Sequence, residues 1–180
     1  NYKQSTAING GKGSNTWSTS LLNKTNLNTN FLNSIGTTWA NKIAITTWKV
    51  GGNTFANIVT SAMNVAYQNE ITNAVTTNTT DGAIEYSAKI GLMYVSDYGY
   101  AASPTYWTYL GYHSSSPLHD YRAAIGSNWM YMGLNEWTIT RNSDDKFYTS
   151  YLYDTGCFLR NYPSRYYAVR PSFYLIPTVT

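Results

Sequence analysis

The rhythm of apolar positions along the chain changes from a helical period in the first half to an alternating one near the C-terminus. Residues 1–16 are polar and Gly-rich, with GGKG at 10–13, and read as a leading strand or arm (1–15) running into a loop. Trp17, Leu21 and Leu22 predict a short helix capped by Ser14 or Thr16. After an Asn-rich turn, Leu27, Phe31, Leu32 and Ile35 recur at helical spacing, with Gly36 as a stop signal. Trp39, Ile43, Ile45, Trp48 and Val50 predict a helical turn passing into a strand that ends at Gly51 and Gly52. A further helix is expected over 54–74, carried by Phe55, Ile58, Val59, Ala62 and Ala66 among many Asn and Thr, and a loop over 76–82.

The apolar run AKIGLMYV at 88–95 predicts a buried strand, followed by a short helix or turn over 96–103. Residues 104–120 form a long, aromatic, Ser-rich segment, and loops of that length are commonly functional. The C-terminal third alternates: strands are expected at 137–140 and 147–153. Asp154, Thr155 and Gly156 give a hairpin turn into a strand at 157–160. A last strand over 169–176 is interrupted by Pro171, which points to an edge or bulge position. There is no internal repeat and no linker. The expected architecture is therefore α+β over one unit, 1–180, with two short helices early and a mainly antiparallel sheet late.

Composition narrows the function. Only 12% of the 180 residues are charged, while 16% are aromatic, and Asn, Ser, Thr and Tyr supply the polarity. Such a surface suits uncharged polar partners, because Tyr gives contact area at low entropic cost and Asn and Ser give adaptable hydrogen bonds. An exported β-rich protein with an ordinary neutral surface has the same composition. Lys and Arg are scattered, so no run tracks a phosphate backbone and nucleic acid is not an expected partner. No segment approaches the ~20 apolar residues of a membrane helix. The chain begins at Asn1 with neither Met nor a signal-peptide pattern, which reads as a processed or trimmed segment. The single cysteine, Cys157, excludes an internal disulfide and reads as a small buried strand residue.

Three segments carry a family resemblance. They are Trp17, Leu21, Leu22 and the FLN of 31–33; IGLMYVSDYG at 90–99; and Asn128, Trp129 and EWTITR at 136–141, followed after a hairpin by VRPSFYL at 169–175. Together they resemble the bacterial surface domains whose C-terminal half reads W-x-x-R-S…VRP-x-x-x-L. Those domains are similar to C-type-lectin-like folds and, distantly, to formylglycine-generating enzymes and the variable proteins of diversity-generating retroelements. The resemblance implies a C-type-lectin-like fold, display on a bacterial surface or pilus, and a structural role for Arg170 and Pro171, with Arg170 fixing the final strand through a charge-assisted pair. It also places the ligand-facing surface at the late hairpin. The paired reactive cysteines of the formylglycine-generating branch are absent, since Cys157 stands alone.

The candidate binding residues are accordingly Tyr148, Tyr151, Tyr153, Asn161, Tyr162, Arg165, Tyr166 and Tyr167. Tyr151 and Tyr153 share one strand face and Tyr148 lies on the other; one face is expected to meet the core and the other to offer rings for stacking. Cross-strand tyrosines also stabilise sheets without binding anything. Asp144 and Asp145 are the oxygen donors a calcium ion would use, with a solvated turn as the rival reading. No other cofactor is expected. His113, His119 and Asp120 have the side chains of a zinc site, or with Ser114–Ser116 of a hydrolase, though not the spacing of either. Glu70, Glu85, Asp97 and Glu136 are the carboxylates available for paired catalysis. The leading expectation is a non-enzymatic, extracellular or cell-surface, adhesin-like head that binds a glycan or a host or bacterial surface protein. A pilin-like filament subunit, which would self-associate, is the alternative. A cell-envelope hydrolase comes third and requires two carboxylates roughly 5–10 Å apart in a cleft.

Overall fold

The computed structural model describes residues 11–60, 62–74, 84–107 and 121–177. His113, His119, Asp120 and Ser114–Ser116 lie outside the described residues, as does the leading arm up to residue 10. The fold is α+β, with short helices and mostly antiparallel strands. Its centre is a four-stranded sheet in the order β2 (Gly52–Asn53), β5 (Glu136–Asn142), β6 (Thr149–Leu152), β7 (Phe158–Asn161), with only β2 and β5 parallel. Two ribbons flank it: β1 (Thr46–Lys49) with β3 (Glu85–Ala88), and β4 (Gly91–Leu92) with β8 (Pro171–Ser172). The chain end returns beside residues 42–44, where Ala44 N donates to Tyr174 O and Ile176 N to Lys42 O, both 2.9 Å.

The expected hairpin forms in the expected place. Tyr153 N and Cys157 O close it at 2.8 Å, and Gly156 takes φ +86°, a left-handed conformation that a side chain would strain. The alternation read into β5 does not carry over to burial: all seven of its residues are buried, and so are all four of β6. Both strands lie inside the sheet with a hydrophobic cluster on each face. Trp137, Ile139 and Tyr151 pack with Trp17, Leu22, Trp48 and Ile90, whereas Leu152 and Phe158 pack with Met63, Met93, Val95 and Tyr98. Cys157 is buried in the second cluster.

The first helix also departs from expectation. Thr16 makes no side-chain cap; a 3₁₀ turn at Trp17–Thr19 comes first, and Ser20 Oγ then accepts from Asn23 N at 3.1 Å. The Asn-rich stretch is no turn. Leu22–Phe31 is wound in the wide π form, and Asn28 Nδ2 and Thr29 Oγ1 bond to the carbonyls of Asn23 and Lys24, five residues back. Gly36, at φ +78°, interrupts the helix but does not end it, because Gly36–Ala40 is again helical.

Two buried carboxylates tie the elements together. Glu70, fully buried on the turn Gln68–Thr72, accepts from Thr140 Oγ1 (2.6 Å), Ser96 N (3.2 Å) and Asn53 Nδ2 (3.2 Å). All three donors are neutral, and burial outweighs them, pushing the Glu70 pKa from 4.5 up to about 7. Glu136, 2% exposed, is paired with Arg170 Nη2 at 2.7 Å, and that nitrogen also donates to Met130 O. Arg170 thus fixes the segment leading into β8 through a charge-assisted pair.

Candidate functional site

The register of the β6–β7 hairpin sorts the candidate residues onto two faces. Thr149 opposes Asn161 and Leu152 opposes Phe158, so extending the ladder sets Tyr148 opposite Tyr162. These two rings do meet, with centroids 4.8 Å apart and the Tyr148 hydroxyl donating to that of Tyr162 at 3.0 Å. That hydrogen bond is the first cause of a raised Tyr148 pKa. Arg160 shares this face by alternation. Its guanidinium lies 4.5 Å from the Tyr148 ring centroid and 4.3 Å from that of Phe55, at the start of the helix Phe55–Thr60. Lys12 Nζ sits over Phe147 (5.5 Å) and Tyr162 (5.3 Å), and Lys146 Nζ over Phe147 (5.5 Å). The result is a strip in which cations alternate with half-buried rings.

The other face belongs to the core. Tyr151 is 5% exposed, stacks on Tyr167 at 4.4 Å and 22°, and meets Trp137 edge-on at 5.9 Å. Burial raises its phenol pKa, and the hydrogen bond with Tyr167 adds to the shift. Tyr153 is partly buried, 6.3 Å from Tyr151, while Asn161 Nδ2 donates to the Tyr167 hydroxyl at 2.7 Å. Asn161 is therefore spent on positioning Tyr167, and Tyr151 on packing. The expectation that one strand face would be free is corrected: β5 and β7 flank β6 and a cluster covers each side, so open rings occur only at the strand ends. Beyond β7 the chain turns, with Arg165 N donating to Tyr162 O at 2.9 Å, and presents Arg165 and Tyr166 to solvent, Tyr166 being 74% exposed.

The loop leading into Tyr148 is held from the far end of the chain. Asn15, fully buried, donates its Nδ2 to the carbonyls of Asn142 (2.9 Å), Asp145 (3.2 Å) and Tyr148 (2.8 Å). Within the loop Asp145 Oδ1 accepts from Phe147 N at 2.9 Å and Asn142 Oδ1 from Asp144 N at 3.3 Å. A cation at Asp144 and Asp145 would compete with Phe147 N for one of its oxygens. Among the described residues no three His, Cys, Asp or Glu side chains gather as a metal set, and no helix is long and apolar enough to cross a membrane.

Sequence reasoning missed Lys12, Phe55, Phe147 and Arg160. Arg160 was recoverable, since the turn at 154–156 fixes the register and puts residues 148, 160 and 162 on one side. Nothing local signals Lys12 or Phe55, which long-range packing brings in. The carboxylates have scattered: Glu85 is paired with Lys49 across β1 and β3, Glu136 with Arg170, and Glu70 is sealed, leaving Asp97 at the surface. The chain matches no protein-family model, no curated protein and no solved structure.

Proposed function

We propose that this chain is a non-catalytic recognition domain, of C-type-lectin-like fold and displayed outside a bacterial cell, that holds a glycan or protein ligand against the strip of Lys12, Phe147, Tyr162, Tyr148, Arg160 and Phe55. The observation that carries the reading is the interleaving of cations and half-buried rings around Phe147 and Tyr148, on a loop whose backbone is already fixed by Asn15. A face set before binding loses little entropy on contact, so its rings and donors act at full strength. Arg165 and Tyr166 extend it towards solvent.

The test is a glycan and surface-protein array with the purified domain, with and without calcium, alongside the variant carrying Tyr148→Ala and Tyr162→Ala. A specific hit lost in the variant, with an unchanged circular dichroism spectrum, supports the reading. A hit that survives in the variant overturns it, and loss of the hit both on chelation and in Asp144→Asn with Asp145→Asn would place calcium at those two residues. One observation favours the rival, a filament or pilin-like subunit. Phe31, Ile35, Trp39, Ile43, Phe173 and Leu175 line an apolar groove of about 540 Å³. A blank array together with concentration-dependent self-association in sedimentation would favour that alternative.

A further inference from the structure

A second concavity lies away from the tyrosine strip. Met93, Asp97, Tyr100, Ala101, Trp129, Met130 and Ser172 line an open depression of about 370 Å³, within the range of small-ligand sites. One of its lining residues is unusual: Trp129 is 79% exposed, although a Trp left in water forgoes the burial that most stabilises such a ring. The ring is nevertheless on a fixed backbone. Asn128 Nδ2 donates to Tyr98 O (2.8 Å), Asn128 Oδ1 accepts from Met130 N (2.9 Å), and Trp129 N lies 3.4 Å from Ala101 O. The loop bearing Trp129 is thereby pinned to the helix Val95–Tyr100, which carries Asp97 and Tyr100. Tyr100 in turn is held edge-on against Trp107 at 5.2 Å, and Trp107 Nε1 is tied to Ala102 O.

The charge of the pocket selects its occupant. Asp97 uses Oδ2 to accept from Tyr94 N at 2.8 Å, closing the start of its helix. Among the described residues the ion pairs join Lys49 to Glu85 and Arg170 to Glu136, so no side-chain cation neutralises Asp97. A solvent-facing carboxylate in a depression it shares with a Trp, a Tyr, two Met and an Ala is the complement of a cation with an apolar skin. A neutral sugar would leave the charge uncompensated, and an anion would be repelled.

We infer that this pocket binds an alkylammonium group, as a protonated primary amine or a quaternary ammonium, with Asp97 as its counter-ion and Trp129 and Tyr100 as its aromatic walls. The group would reach it either on a lysine side chain of a protein or as an amine substituent of a cell-surface polymer. The inference is independent of the tyrosine strip.

Indole proton–nitrogen spectra of the full chain read it directly, during titration at constant ionic strength with choline, with N-acetyl-lysine methylamide and with methyl glucoside. One indole resonance, absent in Trp129→Ala, should shift saturably with at least one of the two cations and not with the glucoside. Asp97→Asn retains an oxygen for Tyr94 N and should weaken cation binding at least ~10-fold, the scale of a lost charge-assisted contact. The relative affinities of choline and the lysine derivative then separate the two sources. The inference is overturned if neither cation moves that indole, if Asp97→Asn binds the cation as well as the native chain does, or if the glucoside gives the same shift in both. The variant carrying Tyr148→Ala and Tyr162→Ala should bind the cation normally, so failure here and failure of the strip are separable.

Discussion

Glu70 meets only neutral donors in a fully buried setting, so ionising it works against the folded state. Its pKa rises from 4.5 in the open chain to about 7 in the fold, which means the folded protein holds this proton the more tightly between those values. The stability it contributes is therefore complete below pH 4.5, drains away as pH rises towards 7, and stays lost above it. At about 1.4 kcal/mol per pH unit, the interval amounts to roughly 3 kcal/mol, a large share of the usual 5–15 kcal/mol of a domain. Urea unfolding followed by circular dichroism, at intervals from pH 4.5 to 8, measures the effect when the native chain is compared with Glu70→Gln. The difference between the two curves should shift by roughly 3 kcal/mol in favour of the Gln variant as pH rises. Asp97 is raised in the same sense and its charge also helps to raise Glu70, so the difference between the curves reports Glu70 together with its coupling to Asp97. Curves that run parallel within about 1 kcal/mol would refute the argument and show that water or a cation reaches the carboxylate.

Two further outcomes follow from the two faces of the hairpin and from the buried pair. Tyr151→Ala should cost about 3–5 kcal/mol in chemical denaturation, and Tyr148→Ala no more than about 1.5, because only the former ring is sealed between Trp137 and Tyr167. Arg170→Ala should cost about 2–4 kcal/mol by stranding Glu136 without its partner, somewhat less than for a wholly buried pair since the Arg170 side chain is 25% exposed. Adding Glu136→Gln to Arg170→Ala should recover more than half of that loss in thermal melts, and no recovery would show that packing of the arginine stem, not the charge, is what matters.

What the sequence made legible was local. Asp154, Thr155 and Gly156 carry their own turn chemistry, and Trp39 to Gly52 carries a change of period, so the hairpin and β1 lie where expected. Pro171 has no amide to donate, and β8 is accordingly a two-residue edge pairing. The failures are all tertiary. Alternating Thr and apolar residues in β5 look half-exposed, yet Thr138 and Thr140 are buried because Ser150 O and Glu70 accept their hydroxyl protons. The Asn-rich stretch before Leu27 looks like a turn, but the side chain of Asn28 bonds back to the carbonyl and the side-chain oxygen of Asn23 within the helix. The eight candidate residues rest on one idea, that rings gather at the hairpin, and the structure does bring Tyr148 to Tyr162 and Tyr151 to Tyr167. Periodicity alone gave no sign that a second cluster covers the face carrying Tyr151.

Asn15 grips the loop at 142–148 only by main-chain carbonyls, a group that every amino acid possesses. The shape of that loop is thus uncoupled from the identity of most side chains it displays. Substitutions at Asp144, Lys146 or Phe147 can alter the chemistry of this surface while the path of the backbone persists, so one buried asparagine, more than a hundred positions upstream, leaves this rim open to diversification at little structural risk.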